Sequence, residues 1–175
     1  MIPRRLLVLL PLAACAEERV EGRFGDPVTV AALNAPASFG NLSRFRDDPA
    51  SAARGVANLE FLTDTFQNNP IWAPQANPVL SVQLRQAQAH VRQTLGIAPG
   101  VPSATVIEAL RTAASLLDAN DLAGARRILS PPVFTAGGAE TLRRLGDMDN
   151  SRVVSAAAQS VSQAGMDGSR GGRRN

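Results

Sequence analysis

Few side chains in this 175-residue chain are suited to acid–base, nucleophilic or metal chemistry. His90 is the only histidine and Cys15 the only cysteine, too few for a zinc constellation. Glu60 and Asp64 stand four residues apart, the spacing that puts two carboxylates on one side of a helix. Such a pair divides acid and base roles when a cleft separates its pKa values; on an open helix edge it is a solvated flank. His90 falls at the edge of an apolar stripe, the place of a boundary imidazole bonded to a neighbour or water rather than of a catalytic base. The serines lack a G-x-S-x-G setting, Asp147 and Asp149 lack a calcium-loop spacing, and Gly137-Gly138 has neither a following lysine nor a preceding strand. The expectation is therefore no catalytic residue, no metal and no cofactor. Trp72, the only tryptophan, is braced by Pro70, Pro74 and Pro78. It is either a partner contact on a stiffened loop or a lid over one end of the fold.

Helical periodicity dominates the elements that must place these residues. Asp48-Pro49 pairs a capping residue with proline at the first helical position, and Ala52, Val56, Leu59, Leu62 and Phe66 then share one face up to the stop at Asn68-Asn69-Pro70. Asn77-Pro78 repeats the signal before Leu80, Leu84, Ala87, Val91 and Leu95, and Gly96 is placed to end that helix. A third helix starts near Ser103, with a wide apolar arc from Val106 to Leu117 that predicts the centre of a bundle. Asp121 caps a fourth, Leu142 and Leu145 mark a fifth, and a weakly held sixth begins near Asn150. The predicted fold class is all-α, a small bundle of about five or six helices spanning residues 48–164. Residues 15–47, broken by glycine and proline, are expected to be a tether and irregular arm, with Val28-Thr29-Val30 extended. Residues 165–175 are expected to be a disordered tail.

The start of the chain carries a location signal. Arg4-Arg5, a short apolar run from Leu6 to Leu12, and small residues after it form a secretory signal peptide over residues 1–14. The run is far shorter than the roughly twenty residues a membrane-spanning helix needs. Leu12-Ala13-Ala14-Cys15 resembles the lipobox of bacterial lipoproteins. That resemblance implies a diacylglycerol on the Cys15 sulfur, removal of the peptide before it, and an acylated N-terminus facing the periplasm. Ala16, rather than aspartate, follows the cysteine, which in that family points to the outer membrane. Cleavage after Ala14 or Ala16 with the thiol unused is the plain-secretion alternative.

Residues 113–129 resemble the middle of a tetratricopeptide repeat: Ala113, Leu116, Asn120-Asp121, Ala125 and Leu129 fall at that family's helix–turn–helix spacing. The resemblance implies a groove for a peptide or protein; a generic helical hairpin has the same pattern. The formal charge of +3 falls by two when Arg4 and Arg5 leave with the leader, so no phosphate-binding face and no nucleic-acid partner are expected. The expected role is non-enzymatic: a lipid-anchored binding or scaffold protein, held to the membrane by Cys15 and serving an envelope protein partner. The alternatives are a small-molecule or lipid carrier with an apolar cavity, and an envelope hydrolase with Glu60, Asp64 or His90 converging in a cleft.

Overall fold

The computed structural model describes residues 26–171, with side chains as far as Asp167; the leader and Cys15 lie outside the described residues. The fold is all-α, with eight α-helices and no strand among those residues. They are α1 (Pro27–Leu33), α2 (Ala35–Ser38), α3 (Pro49–Asn68), α4 (Pro78–Leu95), α5 (Ser103–Asp118), α6 (Leu122–Ile128), α7 (Gly138–Leu145) and α8 (Arg152–Gly171). Short 3₁₀ turns cover Leu42–Phe45 and Ala73–Gln75.

The caps read from the sequence set three helix starts. Ser51 N donates to Asp48 Oδ1 at 3.0 Å, Leu80 N to Asn77 Oδ1 at 2.8 Å, and Gly124 N to Asp121 Oδ1 at 2.8 Å. Each bond satisfies an amide that would otherwise lack an intrahelical partner. Hydrogen bonding by the Ser51 side chain, and then by its backbone, holds the Asp48 carboxyl below the usual carboxylate range. Gly96 closes α4 at φ 72°, a left-handed conformation that favours glycine.

The structure differs from expectation at both ends of the bundle. Residues 27–45 are not an irregular arm: α1, α2 and the turn at Leu42–Phe45 bury Val28, Ala32, Ala35, Phe39 and Leu42 in the common core. Asp26-Pro27 carries the same cap-and-proline start as the later helices, with Thr29 N donating to Asp26 Oδ2 at 2.8 Å. Packing then overrides the extended preference of Val28-Thr29-Val30. At the other end α8 is firmly seated rather than weakly held. Val154, Ala157, Ala158 and Val161 are all buried, and the helix continues beyond Gly165 to Gly171, into the stretch expected to be a disordered tail.

The centre of the bundle is α3, not α5. It packs against α1, α2, α4, α5 and α7, and buries Ala52, Ala53, Val56, Ala57, Leu59, Leu62 and Phe66. Its alanines and Gly55 admit neighbours closely: a Cβ on Gly55 would stand 2.5 Å from the Ser38 carbonyl oxygen. Helix α5 buries only Val106, Leu110, Ala113 and Ala114, and leaves Ile107, Leu116 and Leu117 partly exposed.

On α7, Glu140 in the first turn accepts from Arg143 Nε at 2.8 Å, Arg143 Nη2 at 2.7 Å and Arg144 Nε at 2.8 Å. These bonds lower its pKa to about 2, and a negative charge also suits the helix N-terminus. A carboxyl lowered on folding stabilises above its unfolded pKa of about 4.3, and that contribution disappears as pH falls through the folded value. Glu140→Gln should therefore lower the midpoint of thermal unfolding modestly at pH 7. The gap to wild type should close between about pH 4.3 and 2, and should shrink in high salt. Thermal scans across that range check it; a gap that survives at pH 2 would assign the effect to packing.

Candidate functional site

Glu60 and Asp64 do not form an acid–base pair. Glu60 is 1 % exposed, and both its oxygens are engaged: Arg92 Nε donates to Oε1, and Arg92 Nη2 and Gln88 Nε2 donate to Oε2, each at 2.7 Å. Ser103 Oγ accepts from Gln88 Nε2 at 3.0 Å and from Arg92 Nη2 at 3.1 Å, and Arg92 Nη1 reaches the Val101 carbonyl at 2.8 Å. One carboxylate thus joins α3, α4 and the start of α5. Asp64 is exposed and accepts from Asn68 Nδ2 at 2.7 Å.

His90 lies two residues from both Gln88 and Arg92, so the helical repeat turns it to the opposite side of α4 from Glu60. There it is exposed and borders a pocket of about 160 Å³ together with Asp149 and Ser151. No hydrogen bond joins these three side chains among the described residues, so nothing fixes the imidazole tautomer as a catalytic triad requires. Asp147 pairs loosely with Arg46 and Arg143, each at 3.8 Å. Among the described residues no cluster of His, Cys, Asp and Glu has the makings of a metal site.

Trp72 stands at a cleft of about 610 Å³, where the end of α3, the loop 69–77, the start of α4 and the C-terminal half of α8 meet. The loop is built rigidly. Asn69 Oδ1 accepts from Ile71 N at 2.9 Å and Trp72 N at 3.3 Å, Gln75 Nε2 donates to the Ile71 carbonyl at 2.8 Å, and Pro74 lies within the 3₁₀ turn. The indole meets the Phe66 ring edge-to-face, with centroids 5.8 Å apart and planes at 71°. Trp72 therefore packs on the bundle and still lines an open cleft.

Polar side chains crowd this cleft. Gln75, Asn77, Gln83, Ser160 and Gln163 line it beside Phe66, Val79, Leu80 and Ala164. Gln83 Oε1 is buried without a hydrogen-bond partner among the described residues. Of the α8 members only Asp167 lies in the stretch that reads as a tail; Ser160, Gln163 and Ala164 belong to the helix expected to be weakly held, so its sequence gives no sign of a cleft wall. The four-residue spacing of Ala157, Val161 and Gly165, all buried, was the available signal that the helix continues.

No family model matches the chain, and neither does any curated protein or solved structure. The hairpin of α5 and α6 around Asn120-Asp121 is present, and Ala113 and Ala125 are both buried. Among the described residues no helix is long and apolar enough to cross a membrane.

Proposed function

We propose that this chain is a lipid-anchored binding protein of the bacterial envelope, held at Cys15 and offering the Trp72 cleft to a partner without performing catalysis. The observation that carries the binding role is the cleft itself: an aromatic side chain on a hydrogen-bonded, proline-stiffened loop beside an open, polar-lined recess. A rigid tryptophan spends little conformational entropy on binding, which is why such residues concentrate binding energy. The anchor rests on the leader and on the lipobox resemblance at Leu12-Ala13-Ala14-Cys15. Two or three acyl chains hold a protein firmly where one does not. With α1 starting at Pro27, the segment from Cys15 to Asp26 has a fully extended reach of about 40 Å. The domain would therefore work close to the membrane, on the periplasmic face of the outer membrane by the family's usual sorting.

The tagged full chain in its bacterial host tests both parts. Cys15→Ser should move the protein from the membrane fraction to the soluble one. Trp72→Ala should reduce recovery of the co-purifying envelope partner at least tenfold while the helical circular dichroism is kept. Membrane retention of the serine variant would refute the anchor, and undiminished recovery with Trp72→Ala would refute the cleft as the binding surface.

A further inference from the structure

We infer that the ligand of the Trp72 cleft is a neutral oligosaccharide; this rests on the binding role proposed above and specifies its chemistry. Three features of the cleft favour that class over an anionic or purely apolar ligand. First, among the described residues no basic side chain lines the cleft and a carboxylate, Asp167, does, which disfavours an anion. Second, its hydrogen-bonding groups are carboxamides and a hydroxyl, which can donate and accept from one side chain. Polyhydroxylated rings present the same mixture. The structure also leaves the needed halves of two amides available. Asn77 spends Oδ1 on the α4 cap, leaving its NH₂ group, and Gln75 spends Nε2 on Ile71, leaving Oε1.

Third, the apolar part of the wall is aromatic: Trp72 and Phe66 both line the cleft and meet edge-to-face. An indole face is electron-rich and attracts the weakly positive C–H groups on the flat side of a pyranose. An acyl chain would leave this ring of amides unpaired on binding, a desolvation cost that counts against a lipid. A recess of about 610 Å³ falls within the range of ligand pockets and accommodates two or three sugar units.

The chain reports on its own cleft. With one tryptophan and no tyrosine, its near-ultraviolet emission comes from Trp72. The full chain in detergent micelles should show a saturable change in that emission when titrated with the linear trimer of N-acetylglucosamine or of glucose. Gln163→Leu and Asn77→Asp should each weaken the affinity about tenfold without changing the helical circular dichroism. Asp is retained as a helix cap at position 77, so that variant removes the NH₂ donor and not the fold. No emission change with either trimer up to tens of millimolar overturns the sugar assignment. So does an affinity indifferent to both substitutions, or a response to an apolar or acidic peptide instead. Any of these, with Trp72→Ala still abolishing partner recovery, leaves the binding role standing. Loss of the Trp72→Ala effect with sugar binding intact would instead separate the cleft from that partner.

Discussion

Replacing Arg92 with leucine should cost about 3–5 kcal/mol of folding stability and lower the midpoint of thermal unfolding by about 10–20 °C. The size follows from what is left behind. Glu60 is 1 % exposed, and Arg92, 20 % exposed, supplies two of its three side-chain donors. Without them a buried carboxylate faces apolar neighbours and must either be desolvated unpaired or take up a proton. The Val101 carbonyl also loses its guanidinium donor, loosening the approach to α5. Attraction across the pair is not the source of the loss, because burying both charges consumes much of it. The double variant Glu60→Leu/Arg92→Leu should therefore recover most of the stability that Arg92→Leu alone removes. Urea unfolding of wild type and of both variants measures this. A loss under about 1 kcal/mol in the single variant would mean that water reaches Glu60, contrary to its burial.

Phe134→Ala should be comparably damaging, at about 3–5 kcal/mol, whereas Phe134→Leu should cost about 1 kcal/mol. Phe134 is fully buried although it belongs to the loop between α6 and α7. It forms an isolated antiparallel bridge with Ile97, flanked by Ala98 N donating to the Val133 carbonyl at 2.9 Å and Thr135 N donating to the Gly96 carbonyl at 2.8 Å. Thr135 Oγ1 adds a bond to the same Gly96 carbonyl at 2.9 Å, and Arg144 Nη1 reaches the Thr94 carbonyl at 3.1 Å. The end of α4 thus serves as a receptor for this loop, with the phenyl ring as its plug. Emptying that position leaves a cavity and loosens one of the links that tie α7 to α4. Amide hydrogen exchange should show faster opening at Ile97 and Ala98 in the alanine variant, with α3 amides tracking only the global loss. Equal acceleration everywhere would show the loop to be no separate unit.

The legible parts of this fold were those with local causes. Asp48-Pro49, Asn77-Pro78, Asp121 and Gly96 act on backbone groups within a turn of themselves, so sequence spacing suffices to locate them. The illegible parts depended on distant partners. Asp26-Pro27 has the same signature, but the glycines around it and the β-branched run behind it masked a helix that only packing against α8 and α3 makes worthwhile. The breadth of the apolar arc on α5 pointed to the centre of the bundle. That place went to α3, whose alanines and Gly55 admit more neighbours at close range.

The candidate site divides in the same way. The stiffness of the Trp72 loop follows from its prolines and Asn69, and was readable without any other part of the chain. Glu60 was visible only as a carboxylate on the border of an apolar face; that Arg92 would bury it was a matter of how α4 lies on α3. By itself the sequence determined the all-α class, the main helix boundaries and the stiffened tryptophan loop, because periodicity, caps and prolines act over a few residues. Only the tertiary structure decided which helix is central, that residues 27–45 and α8 as far as Gly165 pack into the core, and that α8 supplies one wall of the cleft. Those outcomes depend on complementary shape and paired charges between segments far apart in the chain, which no local pattern encodes.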